Sequence, residues 1–441
     1  IAALRCVFFM VGHSFPNTLP FHYIVSRQKI KFPAGGFCAI IKSKLYEAVW
    51  RNQACSGFGG FLLREIYLDN SATTRVCPQA AQKAVELMTE CYGNPSSLHT
   101  LGFRAEQELL SARKAVAGAL SALPEEITFT SGGTEANNLA IFGAVYARRH
   151  RNHRIVTTMI EHPSVLQVMA QLEKEGWQVV YLKPDSLGRI SPQQVEEAIT
   201  PDTALVSMMA VNNEVGSILP IEAAARVIRR QKSQTLLHVD AVQAFGKLPL
   251  RPGKTGIDLM TISAHKIHGP KGAGALYIRK GVHIPARTLG GGQERNLRSG
   301  TEALPAWCAF GAAVKALPPV QQEQEEIKKL WQRCREGIAA IPDAVIQSPE
   351  DGLAYILNFS CGGVKAETML HFLEERGIYV SSGSACAKGH ASHVLEAMEL
   401  PRMQALSSIR VSFSRENTME DAEALVQAVR EGMETLVRAR A

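Results

Sequence analysis

The sequence Ile-Asp-Leu-Met-Thr-Ile-Ser, residues 257–263, is an apolar, β-rich run that leads directly into Ala264, His265 and Lys266. Similar runs precede it, and amphipathic stretches lie between them. This alternation is typical of an α/β fold with a mainly parallel sheet. We therefore predict strands at residues 126–130, 154–158, 204–211, 235–239 and 257–263.

The segment 102–122 shows the clearest helical pattern between these strands. Its apolar residues recur at intervals of three and four, which places them on one helix face: Leu109, Ala112, Val116 and Leu120. A two-helix stretch near 303–339 then connects to a smaller α+β unit. In that unit we predict strands at 353–360, 378–381 and 408–413 and helices at 364–376 and 418–438.

A glycine pair follows the strand at 126–130 and leads into a helical run. Backbone N–H groups at a helix N-terminus are unpaired and lie at the positive end of the helix dipole, so Gly133 and Thr134 predict a phosphate site. The segment is not a Walker loop, because the Lys-Ser/Thr ending is missing. An ordinary glycine-rich turn capped by Thr134 is the alternative.

Two further strand ends carry an acid and a lysine. Asp240 lies at the sheet edge where parallel sheets bind ligands, although alone it could equally be a helix N-cap. Lys266 follows Ser263 and His265. Burying a lysine is energetically unfavourable unless its pKa is lowered, and a lowered pKa makes its amine a nucleophile. A single lysine is usually a solvated charge. Together, a phosphate cradle, an acid and a lysine on strand ends predict a pyridoxal phosphate site.

Several sequence segments are long enough that agreement with a family by chance is negligible. They are Tyr67–Thr74, Gly93–His99, Thr130–Glu135, Val211–Gly216, Ala264–Gly272, Gly290–Thr301 and Ser381–Ala387. Together they resemble the motifs of the NifS/IscS-type cysteine desulfurases, which are pyridoxal phosphate enzymes of aminotransferase class V and fold type I. The resemblance covers about residues 67–438.

The resemblance implies a large cofactor-binding domain at 80–310, with a mainly parallel seven-stranded sheet between helices. Residues 65–79 and 311–441 would form a smaller α+β domain that carries the loop of a sulfur-accepting cysteine. Residues 1–64 resemble nothing in the family, and we expect them to be an atypical basic extension outside the fold.

The resemblance also implies roles around the cofactor ring. Lys266 would bind the cofactor covalently and later move the substrate Cα proton. Asp240 would pair with the ring nitrogen and keep it protonated. Gln243 would hydrogen-bond the ring oxygen, and His162 would stack on the ring face.

The phosphate and the substrate carboxylate would have their own ligands. The phosphate would be held by residues around the glycine turn and the lysine: Gly133, Thr134, Ser263 and His265. Thr301 would reach the phosphate of the other subunit, so the active unit would be a homodimer. Asn213, which would also line the cofactor, and Arg410 would bind the substrate carboxylate, Arg410 as a bidentate fork.

Cys386 is the predicted sulfur acceptor. It lies in a Ser/Gly/Ala-rich segment whose composition suits a mobile loop. Lys388 and His390 could lower the pKa of its thiol, and the thiolate is the competent nucleophile. The loop after it is a few residues shorter than in the commonest IscS-type members, which leaves the acceptor protein open. For Cys308, Cys334 and Cys361 we predict buried, small hydrophobic residues instead.

The predicted reaction converts L-cysteine to L-alanine and leaves a persulfide on Cys386. An acceptor protein would carry this sulfur toward iron–sulfur cluster assembly or tRNA thiolation. Another class-V enzyme, an aminotransferase or a selenocysteine lyase, is the alternative, and it needs no loop thiol. A non-catalytic protein built on the same fold is a third reading, against which the intact Lys266 argues.

Charge and cysteine content limit the other classes of function. The chain of 441 residues has a net charge of +7, and residues 1–64 account for all of it with eight basic residues and one acid. Residues 65–441 have no net charge, so they lack the excess of positive charge that is typical of a nucleic-acid-binding protein. The nine cysteines are scattered without a Cys-x-x-Cys pair, which argues against a disulfide framework or a zinc site. With no apolar run of membrane-spanning length, we expect a cytoplasmic protein that binds no membrane.

Overall fold

The computed structural model describes residues 64–150, 152–232, 234–382 and 392–438. Its strands are β1 (Ile66–Tyr67), β2 (Ile127–Thr130), β3 (Arg154–Thr158), β4 (Gln178–Leu182), β5 (Thr203–Met209), β6 (Leu236–Asp240), β7 (Leu259–Ser263), β8 (Gly274–Ile278), β9 (Ala344–Ile346), β10 (Ile356–Cys361), β11 (Ile378–Tyr379) and β12 (Ser408–Ser412).

The helices alternate with these strands along the chain. They are α1 (Pro78–Thr89), α2 (Thr100–Ala119), α3 (Gly133–Arg148), α4 (Pro163–Lys174), α5 (Pro192–Ala198), α6 (Ile221–Gln231), α7 (Pro252–Thr255), α8 (Leu304–Lys315), α9 (Val320–Ala339), α10 (Ala366–Glu374), α11 (His393–Ala397), α12 (Arg402–Leu406) and α13 (Met419–Thr435). Short 3₁₀ helices lie at Pro124–Glu126, Ala264–Lys266 and Glu294–Asn296.

Seven strands form the main sheet, in the order β2-β8-β7-β6-β5-β3-β4. The neighbours from β7 through β4 are parallel, and β8 runs antiparallel to both β2 and β7. Every residue of β2, β5, β6 and β7 is buried, as expected where helices cover both faces of a sheet. The predicted mainly parallel sheet of seven strands is confirmed.

The predicted strands are all present, with small differences at their ends. The strand expected at 204–211 already ends at Met209, because Val211 forms an antiparallel bridge with Ile218 and the chain turns back there. The strand expected at 126–130 begins one residue later, since Glu126 ends a 3₁₀ helix. The predicted apolar face of α2 is buried, and α8 packs against both α1 and α2.

A second, antiparallel sheet has the order β12-β10-β9, and α9, α10 and α13 pack together beside it. β1 pairs in parallel with β11, and Asp69 forms a bridge with Ser412. The start of the described chain is therefore tied to its C-terminal part, although the division into 80–310 and 65–79 with 311–441 stays a prediction. Within the described ranges, no helix is both long and apolar enough to cross a membrane.

A chain that begins at Arg64 should fold like the full chain. The chain divides into units Ile1–Leu62 and Leu63–Ala441, and Arg64 pairs with Asp421 at 2.7 Å, so this start keeps that ion pair. We expect an unchanged unfolding temperature by calorimetry and an unchanged content of bound cofactor. A loss of cofactor in the shortened chain would instead show that residues 1–63 belong to the functional protein.

Candidate active site

The carboxyl ends of β6 and β7 bring an acid and a lysine to one edge of the main sheet. Asp240 is the last residue of β6, and Lys266 ends the 3₁₀ helix that follows β7. The Lys266 Nζ donates hydrogen bonds to the backbone carbonyls of Ser71 and Ala72, the latter at 2.7 Å. The amine is thus held against the segment 69–74, far away in sequence.

Burial lowers the pKa of Lys266 to about 7. The nearby positive charges of Lys247 and Arg410 contribute to this lowering of the pKa, while Asp69 and Asp240 oppose it. An amine with this pKa is a free base in a large fraction of molecules at neutral pH. Lys266 is therefore chemically suited to act as a nucleophile and as a base.

Asp240 is buried and held by fixed donors. Asn137 Nδ2 donates to its Oδ2 at 2.7 Å, and the Val242 N–H donates to its Oδ1 at 3.0 Å. Burial raises the pKa of Asp240, and these two donors oppose that shift. A buried acid of this kind suits a cationic ligand group, because a positive charge would offset the loss of solvation.

A hydrogen-bonded chain connects Asp240 to His162. Asn137 also donates to Ser164 Oγ at 2.9 Å, and this hydroxyl lies 2.8 Å from His162 Nδ1. The Ser164 N–H donates to the same Nδ1, so the neutral ring carries its proton on Nε2. Burial lowers the pKa of His162, which favours this neutral form.

The glycine turn leaves space and donors at the start of α3. Gly132 has a φ of 153°, in the region that favours glycine, and no side chain caps the helix. A Cβ on residue 133 would lie 2.9 Å from Val242 Cγ2, so a glycine here lets the start of α3 pack closely against Val242. Ser263 Oγ is buried without a hydrogen-bond partner among the described residues. Thr134 is exposed, and its predicted contact with the phosphate stays a prediction.

Arg410 lies in β12 and is buried. Its Nη2 donates to Asp69 Oδ1 at 2.7 Å, and its Nη1 donates to the Asn213 carbonyl at 3.1 Å. Its Nε has no partner among the described residues. The guanidinium is therefore fixed in place with one donor free for an anionic ligand.

Gln243 and His265 face the same segment as Lys266. Gln243 Nε2 donates to the Ser71 carbonyl at 3.0 Å, and His265 Nδ1 lies 3.3 Å from Thr73 Oγ1. Burial lowers the pKa of His265 to about 4, so its ring is neutral.

Two predicted site residues lie outside this cluster of contacts. Thr301 is exposed, and its predicted contact with a partner subunit stays a prediction. Cys386 lies outside the described residues, but its segment is flanked by residues that contact the site. The Ser381 N–H donates to the Arg410 carbonyl at 3.1 Å, and Ser392 Oγ donates to Glu214 Oε2 at 2.5 Å.

Three residues of the site, Asn137, Asp69 and Lys247, were not predicted from the sequence. Asn137 could have been found, since it lies one helical turn after Gly133 and so on the same face of α3. The signal for Asp69 in the sequence was its position within the motif Tyr67–Thr74. Nothing in the sequence marks the Ser71 and Ala72 carbonyls as hydrogen-bond acceptors.

Comparison with known proteins gives this arrangement a family. The aminotransferase class-V family model matches residues 66–425. The chain is 40% identical over 377 residues to cysteine desulfurase IscS of Methanosarcina thermophila. The aligned region covers 85% of this chain and 93% of that protein. It is 43% identical over 366 residues to cysteine desulfurase 2 of Trichormus variabilis, with 82% and 91% covered.

Solved structures agree. A NifS-like protein superimposes with a TM-score of 0.80 at 38% identity, covering 85% of this chain and 100% of the other. The structure of SspA in complex with cysteine has a TM-score of 0.71 at 35% identity, covering 79% and 98%.

The chain therefore belongs to the aminotransferase class-V family. Within that family its relatives place it among the cysteine desulfurases of the NifS/IscS type. The predicted resemblance and the predicted fold class are both confirmed.

Proposed function

We propose that this protein is a pyridoxal phosphate enzyme that converts L-cysteine to L-alanine and transfers the sulfur to Cys386 as a persulfide. The buried amine of Lys266, held against the Ser71 and Ala72 carbonyls with its pKa lowered to about 7, is the observation that carries this proposal. Similar proteins named cysteine desulfurase and the cysteine complex of SspA support the choice of substrate.

The residues present fit pyridoxal phosphate. The unpartnered Ser263 hydroxyl and the uncapped start of α3 would hold the phosphate, together with Thr134 and His265. Asp240 would pair with the ring nitrogen. When bound, the cofactor supplies an electron sink for the negative charge that develops at the substrate Cα.

The remaining ring contacts come from two neutral side chains. The His162 ring, held in one tautomer by Ser164, would stack on the cofactor face. Gln243 Nε2 has two N–H donors, and it would donate one to the ring oxygen and the other to the Ser71 carbonyl.

The protein's own groups would bind the substrate and move its protons. Arg410 would bind the substrate carboxylate through its free Nε, with Asn213 beside it. The Lys266 Nζ would take the Cα proton and later return a proton to the product.

The transfer of sulfur needs no reagent other than L-cysteine and the Cys386 thiol. The Cys386 thiolate attacks the substrate sulfur, so that a sulfur–sulfur bond forms while the Cβ–S bond breaks. The electron pair of the broken bond stays with Cβ and is protonated. L-cysteine and the Cys386 thiol thus give L-alanine and a persulfide, which an acceptor protein in a reducing compartment such as the cytoplasm would consume.

A homodimer is the proposed active unit. Large apolar side chains are exposed on α1, on α2, on the segment between them and at Leu289, a grouping typical of an interaction surface. They are Val85 (55%), Met88 (58%), Tyr92 (66%), Leu98 (106%), Phe103 (58%) and Leu289 (85%). A second copy covering this surface would also give the exposed Thr301 a partner.

Incubation of the purified protein with L-cysteine should yield free alanine and one added sulfur atom on Cys386. The measurement is mass spectrometry of the Cys386 peptide under non-reducing conditions, with alanine assayed in the same sample. Serine in place of cysteine is the control, because it offers no sulfur. Pyruvate or a keto product without alanine would instead indicate a different class-V reaction.

A further inference from the structure

A second buried lysine lies close to Lys266. Lys247 is 6% exposed and forms no ion pair with a carboxylate among the described residues. Its Nζ lies 3.5 Å from Gln243 Oε1 and 5.3 Å from the centroid of the Tyr355 ring. Burying an ammonium group among so few partners is unfavourable, which points to a function rather than to stability.

Hydrogen bonds connect the two lysines through Gln243. Lys247 Nζ donates to Gln243 Oε1, and Gln243 Nε2 donates to the Ser71 carbonyl at 3.0 Å. The same carbonyl accepts from Lys266 Nζ. Because an ammonium can only donate, it fixes which end of the carboxamide faces which neighbour. Lys247 therefore orients Gln243, and Gln243 shares its acceptor with Lys266.

The two amines also share a cavity of about 10 Å³, close to the volume of one water molecule. Four elements bring charged or titratable groups to Lys247: Lys266 after β7, Glu323 in α9, Tyr355 before β10 and Arg410 in β12. Burial, with the charge of Arg410, lowers the pKa of Lys247 to about 8, and Glu323, the acid in this set, opposes that shift.

We propose that Lys247 is a positioning residue for Lys266: it orients the Gln243 carboxamide and, while protonated, places a positive charge beside the reactive amine, which disfavours a second ammonium there. This role rests on the proposed function, because it requires Lys266 to react as a free amine. The largest charge contribution that lowers the pKa of Lys266 comes from Lys247, in agreement with the geometry.

The test follows covalent adduct formation between the full-length chain, freed of cofactor by dialysis, and added pyridoxal phosphate. The rate, measured by absorbance across a pH series, should rise with a midpoint near pH 7 in the unaltered protein, as Lys266 loses its proton. In Lys247→Met the midpoint should rise by about one pH unit, which slows adduct formation at pH 7 about 5-fold. The rate at high pH should stay the same.

Three further variants separate the explanations. Lys254→Met removes an exposed lysine of α7 and should leave the midpoint unchanged. Lys247→Arg keeps the charge and should keep the midpoint, whereas Lys247→Gln keeps a hydrogen-bond donor without the charge and should shift it like methionine. If Lys247→Met fails to fold by circular dichroism, the Arg and Gln variants decide.

The outcomes that overturn the two proposals differ. Midpoints equal to that of the unaltered protein in both folded Met and Gln variants would overturn the role of Lys247 alone. Absence of an adduct on Lys266 in the unaltered protein would overturn the proposed function itself.

Discussion

Lys266→Ala should abolish covalent attachment of pyridoxal phosphate and lower alanine formation from L-cysteine by at least roughly 10²–10⁴-fold, the range for loss of general acid–base catalysis. The amine can both bind an aldehyde and accept the Cα proton, and burial lowers its pKa to about 7, so that a large fraction is the free base at neutral pH. Borohydride reduction followed by mass spectrometry reports the adduct, and an alanine assay reports turnover.

The matched control is Lys280→Ala, which removes an exposed lysine just after β8. It should keep both the adduct and the activity. Circular dichroism of Lys266→Ala should match the unaltered protein, since the two carbonyls that accept from Lys266 belong to a segment that Arg410 and Ser412 also hold. A reduced adduct that persists in Lys266→Ala, for example on Lys247, would contradict the assignment of the reactive lysine.

The fold was predictable where hydrophobic pattern alone decides structure. The β-rich runs that became β2, β3, β5, β6 and β7 are almost fully buried, so their composition carries a strong signal. The predicted end of β5 was wrong because an apolar run does not show where the chain turns. Here the turn depends on pairing between Val211 and Ile218.

Site residues at strand ends and within sequence motifs were predictable. Residues whose role depends on tertiary contacts were harder to predict. Lys266 and Ser71 are 195 positions apart, and the acceptor is a backbone carbonyl that any residue type would provide. Lys247 resembles an ordinary surface lysine in sequence, and only the packing of Tyr355 and Glu323 around it makes it buried. Asp69 gains meaning only from its contact with Arg410.

Cys386→Ala should keep the bound cofactor and still bind L-cysteine, while alanine formation falls by roughly 10³–10⁶-fold, the scale of removing an enzyme's nucleophile. The reason is that no thiolate is then present to attack and accept the substrate sulfur. The visible spectrum of the bound cofactor, with and without L-cysteine, measures binding, and an alanine assay measures turnover. Cys91→Ala, which removes a partly exposed thiol of the described chain, is the control and should leave both unchanged.

The described cysteines argue for Cys386 by contrast. Cys308, Cys334 and Cys361 are buried as predicted, and burial raises the pKa of each thiol to about 12, so none is a thiolate at neutral pH. Ser381, five positions before Cys386 in the sequence, forms a bridge with Arg410, the proposed carboxylate ligand. Full alanine formation by Cys386→Ala would contradict this mechanism and favour an aminotransferase or a selenocysteine lyase, which need no such thiol.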